Sequence, residues 1–526
     1  MKAKLLPFFS ILLVCCMLIP YFASFPAVAE ETEPTVTGNE AVDISGKSIV
    51  TNHDGFPYIN FLFNDRVLEG ERTGGNASLT FEHQDGIGSL YLIFNRPYGE
   101  YFVTDNTTGE RKSVGLYNFC HEFIDVAALF GHAPTSVTVS FENGSVYLFE
   151  IDVFTEGEVP SYVQKWNPPA DGEADLVLLS THGDDEQLFF AGVLPYYAEE
   201  MGYTVQVVYF TDHDQKPHRM HEMLNGLWAV GVDIYPVFGT NPDFFKRNMD
   251  DAYTALDNLG YSREYLLSFV VENLRRFKPM VVVGHDINGE YGHALHKVYT
   301  DLLISALDMT ADETQYPESA EAYGTWDVPK TYLHLYEENQ LYMDWDKPMQ
   351  SFGGMTPFEV TKNLGYPCHK SQYSDFAWYL AYYDTAAECP KYNPCYYGLF
   401  RTTVGPDVEK NDFFENVTTH VEAARLEEEA RLEAERLAQE EAERLAKEEA
   451  ARIAEEEARL AEEQRLAEEA RIKAEEEARK AEEARIIAET RQAKQEETKL
   501  IVIIAVEASL ALLLIILLIL RFKRRY

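Results

Sequence analysis

The chain has 526 residues, of which 46% are hydrophobic and 13% aromatic. That is ample for more than one packed core and excludes a wholly disordered protein. The formal net charge is −42, with −37 of it carried by residues 30–420. A surface this acidic repels a phosphate backbone, which argues against a nucleic-acid partner.

Residues 1–29 read as a secretion signal. Lys2 and Lys4 precede an apolar stretch from Leu5 to Ile19, and Ala27-Val28-Ala29 supplies a small-x-small cleavage site. The mature chain then keeps Cys120, Cys368, Cys389 and Cys395. The short interval between Cys389 and Cys395 suits a small disulfide loop, although four cysteines allow three pairings. Residues 30–155 show short alternating runs such as Ser89-Leu90-Tyr91-Leu92-Ile93-Phe94 and Ser136-Val137-Thr138-Val139-Ser140-Phe141. They predict an all-β sandwich or jelly roll, with a hairpin turn at Asn143-Gly144. The stretch 89–97 resembles galactose-binding-like modules over one strand pair, so the expected role is a carbohydrate-binding module or a spacer.

Residues 156–173, with Pro160, Pro168, Pro169 and Gly172, read as a linker. Apolar strands at Leu176–Ser180, Val205–Phe210 and Met280–Gly284 then alternate with helical stretches, the first of them from Gln187 to Met201. This pattern predicts an α/β, Rossmann-like parallel sheet covered on both faces over residues 174–417. Ligands collect at the carboxyl ends of such strands. Residues 421–497 are Glu/Ala/Arg-rich, with 26 Glu against 16 Lys and Arg across 421–500. Glu precedes a base by four at several positions, and the apolar spacing is not a strict heptad. A single charge-stabilised helix is expected, a stalk of about 115 Å at 1.5 Å per residue; a coiled coil joining two copies into a homodimer is the alternative. The apolar run 500–520 predicts one transmembrane helix, and the basic tail 521–526 predicts that the rest lies outside the cell as a single-pass type I protein of the cell membrane. The fold class expected is therefore multidomain: sandwich, α/β domain, helical stalk and C-terminal membrane helix.

The chemistry lies at two strand ends. His182-Gly183-Asp184-Asp185-Glu186 follows the first strand, and His285-Asp286-Ile287-Asn288-Gly289-Glu290-Tyr291-Gly292-His293-Ala294-Leu295-His296 follows the third. A catalytic zinc site needs three N or O ligands and an open position. His182, Asp185 and His296 supply them, and Asp184 stands ready as a general base. Acids at a helix start are often no more than solvated first-turn residues; two clusters, each directly after a buried strand, argue for function. Asp212-His213-Asp214, His218 and His221 look metal-like but fall in a loop after the second strand, and they read as rim residues near substrate, with a ligand role the lesser alternative. No His-Glu-x-x-His or Gly-x-Ser-x-Gly pattern is present, which argues against a zincin protease or an α/β-hydrolase.

These two motifs resemble those of the PIG-L (LmbE-like) N-acetylglucosaminyl deacetylases, whose first motif is usually His-Pro-Asp-Asp-Glu and whose second is Gly-His-x-x-His. The resemblance covers roughly residues 174–417. It implies one Zn2+ per chain held by His182, Asp185 and His296, with Asp184 as the base. It further implies His293 and Tyr291 at the oxyanion or leaving amine, and Arg219 in contact with substrate. His369-Lys370-Ser371-Gln372 resembles another recurrent stretch. Gly183 departs from the family's proline. The expected function is zinc-dependent hydrolysis of the acetamide of an N-acetylated glycan at the cell surface. The alternative is a non-catalytic glycan-binding adhesin on a stalk.

Overall fold

The computed structural model describes residues 40–66, 69–212, 216–372, 382–473 and 480–522; side chains are included except at 54, 467–473, 480–484 and 512–522. The expected signal at 1–29 lies outside the described residues. The chain divides into two compact units, one ending at Leu426 and the other beginning at Glu427.

The first unit opens with strands β1 (Ile49–Asp54), β2 (Glu71–Arg72), β3 (Ala77–Glu82), β4 (Ser89–Phe94) and β5 (Tyr101–Asp105). It continues with β6 (Arg111–Val114), β7 (His121–Asp125), the short helix α1 (Val126–Phe130), β8 (Ser136–Phe141) and β9 (Tyr147–Phe154). They form two antiparallel sheets, ordered β1-β3-β8-β5-β6 and β2-β9-β4-β7. Alternation drives this layering: Val137, Val139 and Phe141 of β8 face the shared core, between half-buried Ser and Thr. The Asn143-Gly144 turn is not a hairpin. β8 pairs with β3 and β5, whereas β9 pairs with β4 and β2, so this turn carries the chain from one sheet to the other. Its polar groups are committed elsewhere: Asn143 Nδ2 donates to the Glu100 carbonyl at 2.8 Å, and the Gly144 backbone amide donates to Asn76 Oδ1 at 3.1 Å.

The expected linker is packed structure. Val159 and Val163 cover the outer face of the second sheet beside Tyr91, Ile93 and Phe149, while Trp166 joins the core of the next layer. That layer contains β10 (Leu176–Ser180), β11 (Val205–Thr211), β12 (Val237–Asn241), β13 (Val281–Gly284), β14 (Lys330–His334), β15 (Gln340–Tyr342) and β16 (Tyr396–Thr402). The sheet order is β12-β11-β10-β13-β14-β16-β15, parallel from β12 to β14 and antiparallel at β16 and β15. Leu176 and Leu178 enter one core and Val177 and Leu179 the other, which is why β10 reads as a continuous apolar run.

The helices of this layer begin with α2 (Asp185–Leu188), α3 (Pro217–Ala229) and α4 (Met249–Asn258), followed by α5 (Arg263–Phe277) and α6 (Ala294–Leu307). α3 lies on one face of the sheet and α4, α5 and α6 on the other. The single helix expected over 187–201 is broken into α2 and a π-helical turn at Pro195–Glu200. Gly192 between them adopts φ +95° and lies where a Cβ would meet the Trp345 ring at 2.5 Å.

Among the described residues, Cys120, Cys368, Cys389 and Cys395 are free thiols. The expected Cys389–Cys395 loop is closed instead by Asn393, whose side chain donates to the Cys389 carbonyl at 2.9 Å and accepts the Cys395 amide at 2.9 Å.

A long helix spans His420–Lys473. A further helix, Lys480–Phe522, follows. The expected single 115 Å stalk is not what folds. Within the second unit Gln495 Nε2 donates to Glu457 Oε1 at 3.0 Å and Arg491 Nη1 to Gln464 Oε1 at 2.9 Å. Contacts that climb one helix while descending the other mean an antiparallel pair. Leu432, Leu437 and Leu445 remain exposed. Several charge pairs place Glu three residues before Arg, as at Glu433–Arg436 and Glu449–Arg452.

Among the described residues no helix is long and apolar enough to cross a membrane. Of the expected span 500–520, side chains are described only to 511.

Candidate metal centre and active site

β10 delivers His182 to Asp185 at the carboxyl edge of the sheet, and β13 delivers His285 to His296. Three donor atoms converge there. His182 Nδ1 lies 3.0 Å from Asp185 Oδ2 and 3.1 Å from His296 Nε2, and that Nε2 lies 3.1 Å from the same Oδ2. All three residues are buried. Two ring nitrogens and a carboxylate oxygen this close are able to hold a metal ion between them, and the spacing suits ligands about 2.0–2.2 Å from one ion. In this state burial works against a charged His296, but Asp185 and Glu290 outweigh it and raise the ring to about 10.

Hydrogen bonds decide which histidines belong to that set. His285 also lies near, 3.6 Å from Asp185 Oδ2. Its Nε2, however, accepts the Thr181 amide at 3.0 Å, so its lone pair there is taken. His293 brings a ring nitrogen within 4.8 Å of those of His182 and His296. Its Nδ1 caps α6 by accepting the Leu295 amide at 3.1 Å. Burial, then His182 and His296, hold its pKa well down. The neutral ring therefore carries its proton on Nε2, as a donor and not a ligand. The donor set that remains is His182, Asp185 and His296.

Asp184 caps α2 and takes no part in the triad. Burial pushes its carboxyl up to about 6, opposed first by Arg219 and then reinforced by Asp185. Arg219 Nη2 donates to Asp184 Oδ1 at 3.2 Å and Nη1 to Asp243 Oδ2 at 3.1 Å. Arg219, expected at the substrate, thus grips the candidate base. Tyr291 stands beside the site with its ring centroid 5.5 Å from that of His293. Its backbone is left-handed at φ +44°, and burial and nearby carboxylates hold its hydroxyl protonated.

Asp243 was not visible as a site residue. It follows β12, whose Val-Phe-Gly-Thr-Asn sequence is too mixed to read as a buried strand, yet its Oδ1 lies 3.4 Å from His182 Nε2. Had β12 been recognised, its carboxyl edge would have pointed there. His369 sits behind α2, with Nε2 3.0 Å from Glu186 Oε1, and Ser371 ties Glu222 of α3 through its amide and hydroxyl. Gly183 is explained by Met223: a Cβ at 183 would lie 2.0 Å from Met223 Sδ.

Of the histidines read as rim residues, His213, like Asp214, lies outside the described residues. His221 points away from the triad. His121 Nε2 and His221 Nδ1 are 2.8 Å apart, and Tyr91 Oη lies 2.6 Å from His121 Nδ1. His218 and His221 line a separate cavity of about 1180 Å³ between the sandwich and α3.

No family model matches the chain. It is 29% identical over 207 residues to 1D-myo-inositol 2-acetamido-2-deoxy-alpha-D-glucopyranoside deacetylase 2 of Saccharopolyspora erythraea, covering 35% of this chain and 72% of that one. It is 27% identical over 192 residues to the corresponding deacetylase of Rhodococcus jostii, covering 32% of this chain and 64% of that relative. A solved N,N'-diacetylchitobiose deacetylase from Pyrococcus horikoshii matches with 18% identity and a TM-score of 0.30, over 39% of this chain and 76% of that one. The site thus pairs a group of residues able to hold a metal ion with a separate buried carboxylate, and the curated proteins that the chain is similar to are named deacetylases. That similarity agrees with the resemblance of its two motifs to those of the PIG-L (LmbE-like) deacetylases.

Proposed function

We propose that this protein uses zinc to hydrolyse the acetamide of N-acetylglucosamine-type sugars, releasing acetate and a free amino sugar. The observation that carries the reading is the His182–Asp185–His296 triad with a separate buried carboxylate, Asp184, beside it. A pure binding protein has no need of that spare base. A zinc ion in the triad, when bound, supplies an acidified water and a polarised carbonyl.

The chain's own residues do the rest. Asp184, poised near neutrality, accepts the water proton as the carbonyl is attacked, and Arg219 holds one of its oxygens in place. The Nε2–H of His293 donates to the developing oxyanion, a contribution typically of about 3–4 kcal/mol per donor. Protonated Asp184 returns its proton to the departing amine. The phenol of Tyr291 stands nearby as a second donor. The sugar preference draws support from the curated relatives, which are named as deacetylases of an acetamidoglucose conjugate. A location outside the cell, anchored through 500–520, rests on the leader-like start and the basic tail.

The deciding experiment is acetate release from N-acetyl-chitooligosaccharides by the full chain, with and without chelator. Metal-dependent release is expected. No release from zinc-replete protein that still binds the sugar would replace this reading with a glycan-binding surface protein.

A further inference from the structure

Behind the triad lies a wholly buried carboxylate, Glu290. The chain reaches it through a forced turn. Gly289 adopts φ +66°, where a Cβ would meet the His293 carbonyl at 2.5 Å, and Tyr291 is left-handed as well. Backbone strain of this kind persists where the surroundings fix it. What fixes it is the set of donors around Glu290. Oε2 accepts from His296 Nδ1 at 2.7 Å and from His285 Nδ1 at 2.8 Å. Oε1 accepts from His334 Nδ1 at 2.7 Å and from the Asp286 amide at 3.1 Å.

The direction of these bonds follows from the far sides of the rings. His285 Nε2 accepts an amide, so its proton sits on Nδ1. His334 Nε2 faces the Asn393 carbonyl at 3.1 Å, an acceptor, so both its nitrogens face acceptors. Oε2 thus receives two ring nitrogens and Oε1 a ring nitrogen and an amide, and a glutamine in this place would turn its own N–H against one of these pairs.

We infer that Glu290 is the positioning residue that holds His296 in the Nδ1–H tautomer, aims its Nε2 lone pair into the triad, and thereby sets the metal affinity of the site. The inference rests on the metal-ligand reading above. An outer carboxylate on a ligand histidine typically changes metal affinity by about 10–100-fold.

The test is zinc affinity of the full chain by chelator competition for wild type, Glu290→Gln and His296→Ala, with circular dichroism as a folding control. The expected result is folded Glu290→Gln that binds zinc 10–100-fold more weakly, with His296→Ala weaker still. Zinc affinity within twofold of wild type in folded Glu290→Gln overturns the inference alone. Unchanged affinity in His296→Ala overturns the ligand assignment beneath it. Wild-type protein gives a second readout should the glutamine variant not fold. Histidine ¹⁵N spectra of zinc-loaded chain should show His296 protonated on Nδ1, and a proton on Nε2 sinks the proposal.

Discussion

At the scale of single residues, neighbouring Asp184 and Asp185 occupy different worlds. Asp185 is drawn below the ordinary carboxylate range against its burial by His296 and His182. Asp184 is pushed up to about 6. One therefore suits a cation and the other a proton. Asp184→Asn should keep zinc and lose turnover by a factor on the order of 10²–10⁴, the usual share of a general base. Asp185→Asn should lose zinc before it loses chemistry. Measuring kcat and zinc content for both under saturating metal checks the assignment, and the opposite pattern swaps the roles. His293→Ala should lower kcat by roughly 10²–10³, the cost of one oxyanion donor, with zinc content unchanged. The sequence showed His182, Asp184, Asp185, His293 and His296 because each motif is contiguous and follows a buried strand. It hid the roles of Asp243 and Glu290 because a tautomer depends on what lies across the ring, and that neighbour is supplied by folding.

At the scale of elements, β9 carries polar residues into a packed layer. Asp152 lies opposite Tyr91 of β4 beneath the segment holding Val159 and Val163. Burial, then Asp43, pushes its carboxyl up to about 7, whereas an unfolded Asp titrates near 3.9 (roughly the model-peptide value). Between these values the folded chain holds a proton that the unfolded chain has released, so its stability falls as pH rises from about 4 to about 7. Thermal unfolding should therefore occur at lower temperature at pH 7.5 than at pH 5, and Asp152→Asn should flatten that slope. A steeper slope in the asparagine variant would contradict the account. Strands were legible where burial alternates, as in β8, or is continuous, as in β10. The Asn143-Gly144 turn misled because a turn sequence specifies reversal of the chain but not which strand receives it; that choice was made by the shared core of two sheets.

At the scale of the whole molecule, the two units differ in what orders them. Residues 40–426 form apolar cores, whereas 427–522 show exposed leucines and pairs of Glu and Arg. Surface ion pairs contribute about 0–1 kcal/mol each and are screened by salt. Limited proteolysis should cut within 427–522 first and leave a resistant fragment containing the triad; prior cleavage within 176–402 would refute that order. The single rod inferred from the Glu/Ala/Arg repeat failed because helix-forming composition fixes the helical state and leaves its continuity open.

The contact between the sandwich and the α/β layer has a consequence for modularity. Phe119 and Cys120 belong to the same core as Leu176, Met220 and Tyr235, and the Phe119 and Tyr235 rings stack 4.5 Å apart. The Tyr91–His121–His221 line reaches the face of α3 opposite Arg219, the residue that grips Asp184. A sugar-binding appendage on a tether could be transplanted or deleted without the catalytic layer noticing. This one shares a core with the layer that carries the triad, so deleting the sandwich would strip apolar contacts from that layer as well.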